Sequence, residues 1–297
     1  MRHPSATLSL VLIQLGFLIT ETAHGQLQRE RAQVQRPVEL VFPTPRHINL
    51  ATTEPLAAGE LYYSIMHTFG QIDNGAGNLW GIDSGANIRF NIEYGFTERL
   101  SVSVGRSSMD KVFELGGRYL LLQQQTGGAQ NMPVSLALNL TGGIMTVPSD
   151  LLFESFEFSD RLLFSAAMPV SRGFSDRLSI LAVPMFAQFS RTAGNMRLDD
   201  VSDSWYAGLG LGARYGLTLR HALTLQYLPA WRDSTEQFSH GFGFGIDIKT
   251  GGHVFQLFFT NTQALNDAYL LGATHGDILD GGLRFGFNIN RSFVVRS

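Results

Sequence analysis

The side chains of this sequence that could do chemistry fall into two groups, and the first is a set of charges. Eight charged residues of mixed sign stand at alternating positions within segments of strand-like pattern: Arg89, Glu93, Glu114, Arg118, Arg214, Asp247, Lys249 and Arg284. Charges that face a common interior can neutralise one another in ion pairs, or they can form a charged ring that selects ions in a pore. The sequence leaves both interpretations open, because it does not fix which charges meet.

The second group would suit a hydrolase that acts on lipids. A serine nucleophile needs a histidine base within hydrogen-bond reach. His67 stands near the end of one alternating segment, and Ser107 and Ser108 end another. A histidine at a membrane rim and a serine at a strand end are both common without catalysis. The sequence contains no nucleophile elbow and no metalloprotease helix motif. We therefore predict no catalytic residue, and we keep the hydrolase as a weaker alternative.

Composition excludes several classes of site. The chain has no cysteine, so it has no disulfide, no thiolate metal site and no cysteine nucleophile. Its eight histidines show no metal-ligand spacing. We therefore predict neither a cofactor nor a metal. A net charge of -3 gives no support to nucleic-acid binding, which usually involves a basic surface.

The beginning of the chain has the pattern of an export signal. Arg2 gives a basic start, an apolar run covers residues 8–19, and small residues precede Gln26. This arrangement predicts a signal peptide over residues 1–25. Residues 26–58 are polar and contain four prolines. We expect them to form an extended periplasmic segment that can also enter a barrel mouth as a plug.

From residue 59 to residue 297 the dominant period is two. In one segment Trp205, Leu209 and Leu211 alternate with glycines, so one face is apolar and the other is bare. Such a bare face suits a barrel interior better than the water-facing side of a secreted β-sandwich, which is the alternative fold. The pattern predicts an all-β protein, a closed antiparallel transmembrane β-barrel of about twelve strands. The segments lie near 60–69, 85–96, 99–107, 112–124, 133–144, 160–171, 176–189, 204–217, 220–231, 239–249, 253–262 and 280–293.

The connections between segments predict how the barrel is oriented. Long connections at 70–84, 145–159, 190–203 and 263–279 follow odd-numbered segments, whereas the connections after even-numbered segments are tight. Outer-membrane barrels have short periplasmic turns and long outer loops, so both termini are expected in the periplasm. Aromatic side chains favour the headgroup level of a membrane. The candidates for the two aromatic girdles are Tyr62, Tyr63, Tyr94, Phe96, Trp205, Tyr215 and Trp231.

The expected width of the barrel leaves its function open. About eight strands fill their own interior and about sixteen leave an aqueous channel, so twelve is intermediate. Glycines at 208, 210, 212, 243 and 245 would leave space inside. This favours a narrow passive pore for small solutes or ions, unless residues 26–55 occupy the space. A structural barrel that binds a periplasmic protein partner is nearly as well supported. Outer-membrane lipid is expected as a partner in every case.

Several motifs resemble a known family. The most specific are Ser84-Gly85-Ala86-Asn87-Ile88-Arg89-Phe90 and Gly251-Gly252-His253-Val254-Phe255-Gln256-Leu257. They resemble a family of bacterial outer-membrane β-barrel proteins, common in Bacteroidetes and their relatives, whose function is unknown. The resemblance covers nearly the whole mature chain. It implies a barrel and an outer-membrane location, and it implies no activity.

The last segment also resembles the insertion signal that the outer-membrane assembly machinery reads. The matching positions are Asp280, Gly282, Phe285 and Phe287. Many barrels end on an aromatic residue, whereas here Phe293 is followed by four more residues. The resemblance implies the assembly machinery as a partner during insertion.

Overall fold

The computed structural model of the chain describes residues 36–37, 40–127, 131–152, 157–190, 203–232, 239–272, 274, 276, 278 and 281–295. The chain divides into two compact units, Met1–Arg36 with Thr126–Asn131 and Pro37–Gln125 with Met132–Ser297. The first unit, which includes the predicted signal peptide at 1–25, lies mostly outside the described residues. Asp280 of the predicted insertion signal also lies outside them.

The second unit is an all-β barrel of twelve antiparallel strands. They are β1 (Glu60–Gln71), β2 (Asn87–Gly95), β3 (Leu100–Ser107), β4 (Val112–Leu122), β5 (Ser135–Met145), β6 (Leu162–Ala167 and Val170–Gly173), β7 (Leu178–Ser190), β8 (Asp203–Gly216), β9 (His221–Leu228 and Ala230–Arg232), β10 (Gly241–Lys249), β11 (His253–Thr260) and β12 (Arg284–Val294). Each strand pairs with the next, and β12 pairs with β1, so the sheet closes on itself. The predicted fold is therefore confirmed.

Two of the strands are interrupted where proline removes a ladder hydrogen bond. Pro169 divides β6, and Pro229 divides β9. Proline has no backbone N–H to donate, so a strand that contains it must break or bulge there. Pro184 lies within β7 without breaking that strand, and its carbonyl oxygen accepts a hydrogen bond from the N–H of Met168 at 2.9 Å.

The two faces of the barrel wall differ in polarity. On β4, Leu115 is 63% exposed on the outer face while its neighbour Glu114 is 5% exposed on the inner face. The same alternation places Phe90, Ile92 and Leu225 outside. A water-soluble sandwich would have the opposite polarity. An apolar outer belt around a closed sheet is what hydrocarbon requires, since every backbone polar group must be paired within the wall.

In the described residues, helical structure is confined to short pieces, and the α-helix α1 covers Asp267–Gly272. Short 3₁₀ segments cover Ile72–Asn74, Ala76–Gly81, Met109–Lys111, Ser149–Leu151 and Ser159–Arg161, and two-residue strands occur at Arg36–Pro37 and Gln125–Thr126. In the part of the chain that the structure describes, no helix is long and apolar enough to cross a membrane.

The stretch before β1 is predicted to be an extended segment that can also enter the barrel mouth as a plug. Most of residues 41–56 are buried, and Arg46–His47 pairs there with Leu50–Ala51 in a hairpin. The connection before β12 was expected to be an outer loop. Instead, residues 264–271 are buried inside the barrel and include α1. Periodicity describes the wall of a barrel, and it carries no information about which connecting segment turns inward.

Candidate functional site

The lumen of the barrel is filled by two segments of the same chain. We call residues 41–56 the plug segment and α1 the inner helix. Most of the plug segment is buried, and Ile48 and Leu50 at its hairpin are fully so. The plug segment enters at the end of the barrel where the turns are short, since Val41 contacts the beginning of β7 through Ser179. The inner helix lies at the opposite end, against β6, β7, β8 and β9.

Wall side chains hold the plug segment by its backbone. Arg118 on β4 donates to the carbonyl oxygens of Thr52 at 2.5 Å and Pro45 at 3.2 Å. On the other side of the lumen, Asn288 on β12 donates to the carbonyl oxygen of Ile48 at 2.8 Å. Each carbonyl that leaves water must find such a donor, because an unpaired buried acceptor costs roughly 1–3 kcal/mol. The polar inner face of the wall therefore acts as a binding surface for a peptide.

Glycines of β8 make room for the plug segment. A Cβ atom at Gly210 would lie 2.6 Å from Cδ2 of Leu50, and one at Gly212 would lie 2.8 Å from Cδ2 of His47. Both distances are too short for real carbon contacts. Gly210 and Gly212 thus form the socket of the hairpin, whereas Gly208 of the same row faces Leu271 of the inner helix.

The buried carboxylate of Glu54 joins the two ends of the plug segment by hydrogen bonds. Glu54 accepts the backbone N–H groups of Val41 at 3.0 Å and Phe42 at 3.1 Å. Burial raises the pKa of Glu54 from 4.5 to about 7, against the lowering effect of these hydrogen bonds and of the Arg118 guanidinium. The carboxyl group therefore titrates near neutral pH while the plug segment is in place.

A buried imidazole lies at the hairpin. The Nε2–H of His47 donates to the carbonyl oxygen of Leu225 at 2.9 Å, and its ring packs edge-on against Phe42. Burial lowers the pKa of His47 below its ordinary value, although the hydrogen bond to Leu225 and the nearby Asp247 carboxylate act in the other direction. Arg214 on β8 also lowers it. The histidine is therefore neutral when the plug segment is docked.

The plug segment and the inner helix meet at one ion pair. The guanidinium of Arg46 donates to both carboxylate oxygens of Asp267, at 2.8 and 2.9 Å. Burial alone would raise the pKa of Asp267, but the Arg46 guanidinium holds it below its ordinary value. Two parallel charge-assisted hydrogen bonds fix both distance and orientation. The two fillers of the lumen are thereby joined to each other as well as to the wall.

Six of the eight predicted lumen charges come together in pairs. Their N–O distances are 2.7 Å for Arg89–Glu114, 3.1 Å for Arg118–Glu93 and 3.0 Å for Arg214–Asp247. The remaining two lie near the ends of the barrel. Lys249 lines a pocket at the short-turn mouth, and Arg284 donates to the backbone oxygen of Phe69 beside a bulge in β12. Whether any of these charges selects ions stays a prediction.

Little free space remains along this part of the lumen. A polar cavity of about 30 Å³ lies between the fillers and strands β2–β5, and its lining includes Arg46, Arg118, Asn139 and Asp267. This volume is roughly one water molecule's share of the liquid. No hydrated ion or sugar fits in this cavity.

In the described residues, no hydrogen bond joins the histidine and the serines considered for a hydrolase. His67 faces outward on β1, where its ring stacks on Phe69 and tilts against Phe287. Ser107 is fully buried on the inner face of β3. Ser108 is engaged in the wall, because its hydroxyl donates to Asn87 Oδ1 at 3.0 Å and accepts the N–H of Ile88. Within the described residues, no group of three or more histidine and carboxylate side chains could hold a metal ion.

Six of the seven predicted girdle residues lie on the outer surface. Tyr63, Tyr94, Phe96 and Tyr215 lie towards the short-turn end, and Trp205 and Trp231 towards the other end. Their role at the headgroup level stays a prediction. The assignment of Tyr62 is wrong. It is 3% exposed, and its hydroxyl donates to Asn290 inside the barrel at 2.6 Å. Adjacent residues of a strand face opposite sides, so Tyr62 and Tyr63 cannot share a girdle.

The barrel and its plug segment correspond to one family description. A family model described as "Membrane bound beta barrel domain (DUF5777)" matches residues 42–293. The chain belongs to this family. The match begins within the plug segment at Phe42 and includes the inner helix, the first eleven strands and β12 up to Phe293. The protein is thus a membrane-bound β-barrel, as the motifs of the sequence indicated.

Solved structures with a similar barrel include three channels. The NanC porin is 8% identical with a TM-score of 0.49, covering 78% of this chain and 98% of its own. An outer membrane channel from Pseudomonas putida F1 is 13% identical with a TM-score of 0.49, covering 81% and 98%. The KdgM porin is 10% identical with a TM-score of 0.43, covering 79% and 99%. Similarity at this level says nothing of which solute, if any, this barrel carries. The search of curated proteins found no match to the sequence.

Proposed function

We propose that this protein is an outer-membrane channel for small solutes or ions that its own plug segment keeps closed. The observation that carries the proposal is the socket in β8, where Gly210 and Gly212 leave room for Leu50 and His47. A wall that can hold a folded hairpin is wide enough to form a pore once the hairpin leaves. Two features support an outer-membrane location. The sheet is a closed transmembrane barrel, and its first and last strands begin and end on the side of the short turns.

The contacts of the plug segment suit reversible release. Its carbonyl oxygens are held by polar side chains such as Arg118 and Asn288, which water can replace once the segment moves. It joins β1 after only a few residues, so it can withdraw through the short-turn mouth without disturbing the ladder. The inner helix packs differently. Its Tyr269 lies edge-on against Phe189, and Leu270 and Leu271 are buried with it in an apolar cluster.

A reversible cross-link tests the gate in the intact chain. The hydroxyls of Thr53 in the plug segment and Ser171 on β6 are 2.5 Å apart, and both are buried. Because the chain has no cysteine, the pair Thr53→Cys and Ser171→Cys would form the single disulfide. In planar bilayers we expect silence from the oxidised protein and discrete current steps after reduction. Each single cysteine variant is a control whose current should not respond to the reductant.

Two outcomes of this experiment would contradict the proposed gated channel. Steps of equal frequency from the oxidised and reduced proteins would show that the plug segment does not gate the barrel. Silence from the reduced protein, and from a variant lacking residues 26–55, would remove the channel altogether. That result would favour a structural barrel with a periplasmic partner, a role that the filled lumen also suits.

A further inference from the structure

A groove in the outer wall shares no lining residue with the small polar cavity of the lumen. It has a volume of about 820 Å³, and its lining combines outward residues of β4 to β7 with buried wall residues such as Leu163 and Phe189. Cavities of roughly 300–1,000 Å³ are typical of small-molecule sites. The groove lies on the face that the lipid belt occupies, towards the long-loop end of the strands.

The groove exists because one lipid-facing position has no side chain. Gly142 on β5 pairs with Leu115 on β4 and with Phe164 on β6. A Cβ atom at Gly142 would meet no heavy atom within 4 Å. In the next row, Ile144 lies between Phe113 and Leu162. A bare strip of backbone is therefore bordered by large apolar side chains, a shape that suits a hydrocarbon chain.

Two polar side chains stand beside this apolar strip. The guanidinium of Arg106 on β3 lies 5.3 Å from the ring centre of Phe113, a groove residue. Gln188 on β7 faces outward into the groove next to Phe164. An amide in contact with hydrocarbon is costly unless it forms a hydrogen bond. An arginine at the rim of the membrane favours a phosphate.

We infer that this groove holds one molecule of lipid A, the phosphorylated and acylated glycolipid of the outer leaflet. An acyl chain lies over Gly142, an acyl carbonyl accepts a hydrogen bond from Gln188, and a phosphate lies against Arg106. Lys111, which is exposed in the turn between β3 and β4, adds positive charge on the same side. The choice of leaflet rests on the orientation in the proposed function, in which the long loops are outside.

Native mass spectrometry in mild detergent, with lipid A added, tests this inference without measuring current. The wild-type protein should retain one lipid A more strongly than phosphatidylglycerol. Gly142→Leu fills the groove, and excluding even a few methylene groups should lower retention by about tenfold. Gly117→Leu is the matched control, because Gly117 also faces outward on β4 with no heavy atom within 4 Å of its Cβ position, and it does not line the groove.

A second variant tests the proposed contact between Arg106 and the phosphate. Arg106→Gln should weaken retention of lipid A and leave retention of dephosphorylated lipid A unchanged. Heat-dependent migration on gels shows that each variant is a folded barrel. If Gly142→Leu and Gly117→Leu lost lipid A retention equally, or if neither lost any, the groove would not be the binding site. Stronger retention of phosphatidylglycerol than of lipid A would overturn the choice of lipid A. Since conductance is not measured, failure here leaves the gated channel standing.

Discussion

Arg46 and Asp267 are 221 residues apart in the chain, yet their side chains form two parallel hydrogen bonds in the middle of the barrel. Arg46 belongs to the plug segment, which enters from the short-turn end, and Asp267 begins the inner helix at the opposite end. Both side chains are largely removed from water. A displacement of the inner helix would therefore be transmitted to the plug segment through this pair.

Breaking this pair should loosen the plug segment. Asp267→Asn leaves the Arg46 guanidinium buried without its counter-charge, and removing one partner of a buried pair typically costs about 3–5 kcal/mol. We expect the open probability in planar bilayers to rise strongly. The double variant Arg46→Met with Asp267→Leu replaces the charges by apolar groups and should stay more tightly closed than Asp267→Asn. Equal open probabilities in wild type and Asp267→Asn would show that the pair does not hold the gate.

The wall of this barrel could be predicted from sequence, because lipid imposes a strict alternation. The predicted and observed strand ends differ by only a few residues, even in β7 despite Pro184. The inner helix could not be placed, since a loop that folds inward has no period to reveal it. One local signal was available. Asn266 accepts the N–H of Tyr269 as a helix cap, and the apolar run that follows is unusual for an exposed loop.

The partners of the lumen charges also escaped prediction, for a different reason. Alternation assigns Arg89 and Glu114 to the same face, but their pairing depends on the relative register of β2, β3 and β4. Similarly, the glycines of β8 predicted interior space without showing that Leu50 occupies it. Contacts between segments distant in the chain need register, and the pattern within one segment does not contain it.

Glu54 and His47 of the plug segment should give the open probability opposite dependences on pH. Substituting one residue at a time separates the two effects. The pKa of Glu54 is raised from 4.5 to about 7 when the plug segment is docked. Between these two pH values the carboxyl group therefore holds a proton in the docked state that it lacks in the released state. Its contribution to docking is present at low pH and is lost as pH rises through 7. In His47→Gln, where this effect acts alone, the open probability should rise from about pH 5 to about pH 8, by up to tenfold per pH unit.

The reverse dependence should appear in Glu54→Gln. The pKa of His47 is lowered on docking from 6.5, so the released state binds the extra proton at acidic pH. Its contribution is present above pH 6.5 and decreases as pH falls. The open probability of Glu54→Gln should therefore rise on acidification. In wild type the proton that Glu54 releases and the one that His47 takes up act in opposite directions, so the response below pH 6.5 should be weaker than in either single variant. Parallel slopes in the two variants would contradict this assignment.

The fit between Gly210 and Leu50 predicts a rescue experiment. Gly210→Val places a side chain where Leu50 now lies, and overpacking of this kind costs about 1–3 kcal/mol. The variant should open more often than wild type. Adding Leu50→Ala removes the clash and should restore closure beyond what the sum of the two single variants predicts. Simple additivity of the two changes in a bilayer recording would place Leu50 elsewhere in the lumen.

The pair Arg89–Glu114 should stabilise the wall rather than the gate. Its side chains are buried, and their closest atoms are 2.7 Å apart, with Arg89 also donating to Asn91 Oδ1 at 3.2 Å. Arg89→Met leaves the Glu114 carboxylate buried and unpaired, so the free energy of unfolding in urea should fall by about 3–5 kcal/mol. Adding Glu114→Met should recover part of that loss, because two apolar side chains leave no uncompensated charge. Open probability should change far less than in Asp267→Asn, since neither residue bonds to the plug segment's carbonyl oxygens in the way Arg118 does. A variant that opened freely at unchanged stability would instead assign this pair to the gate.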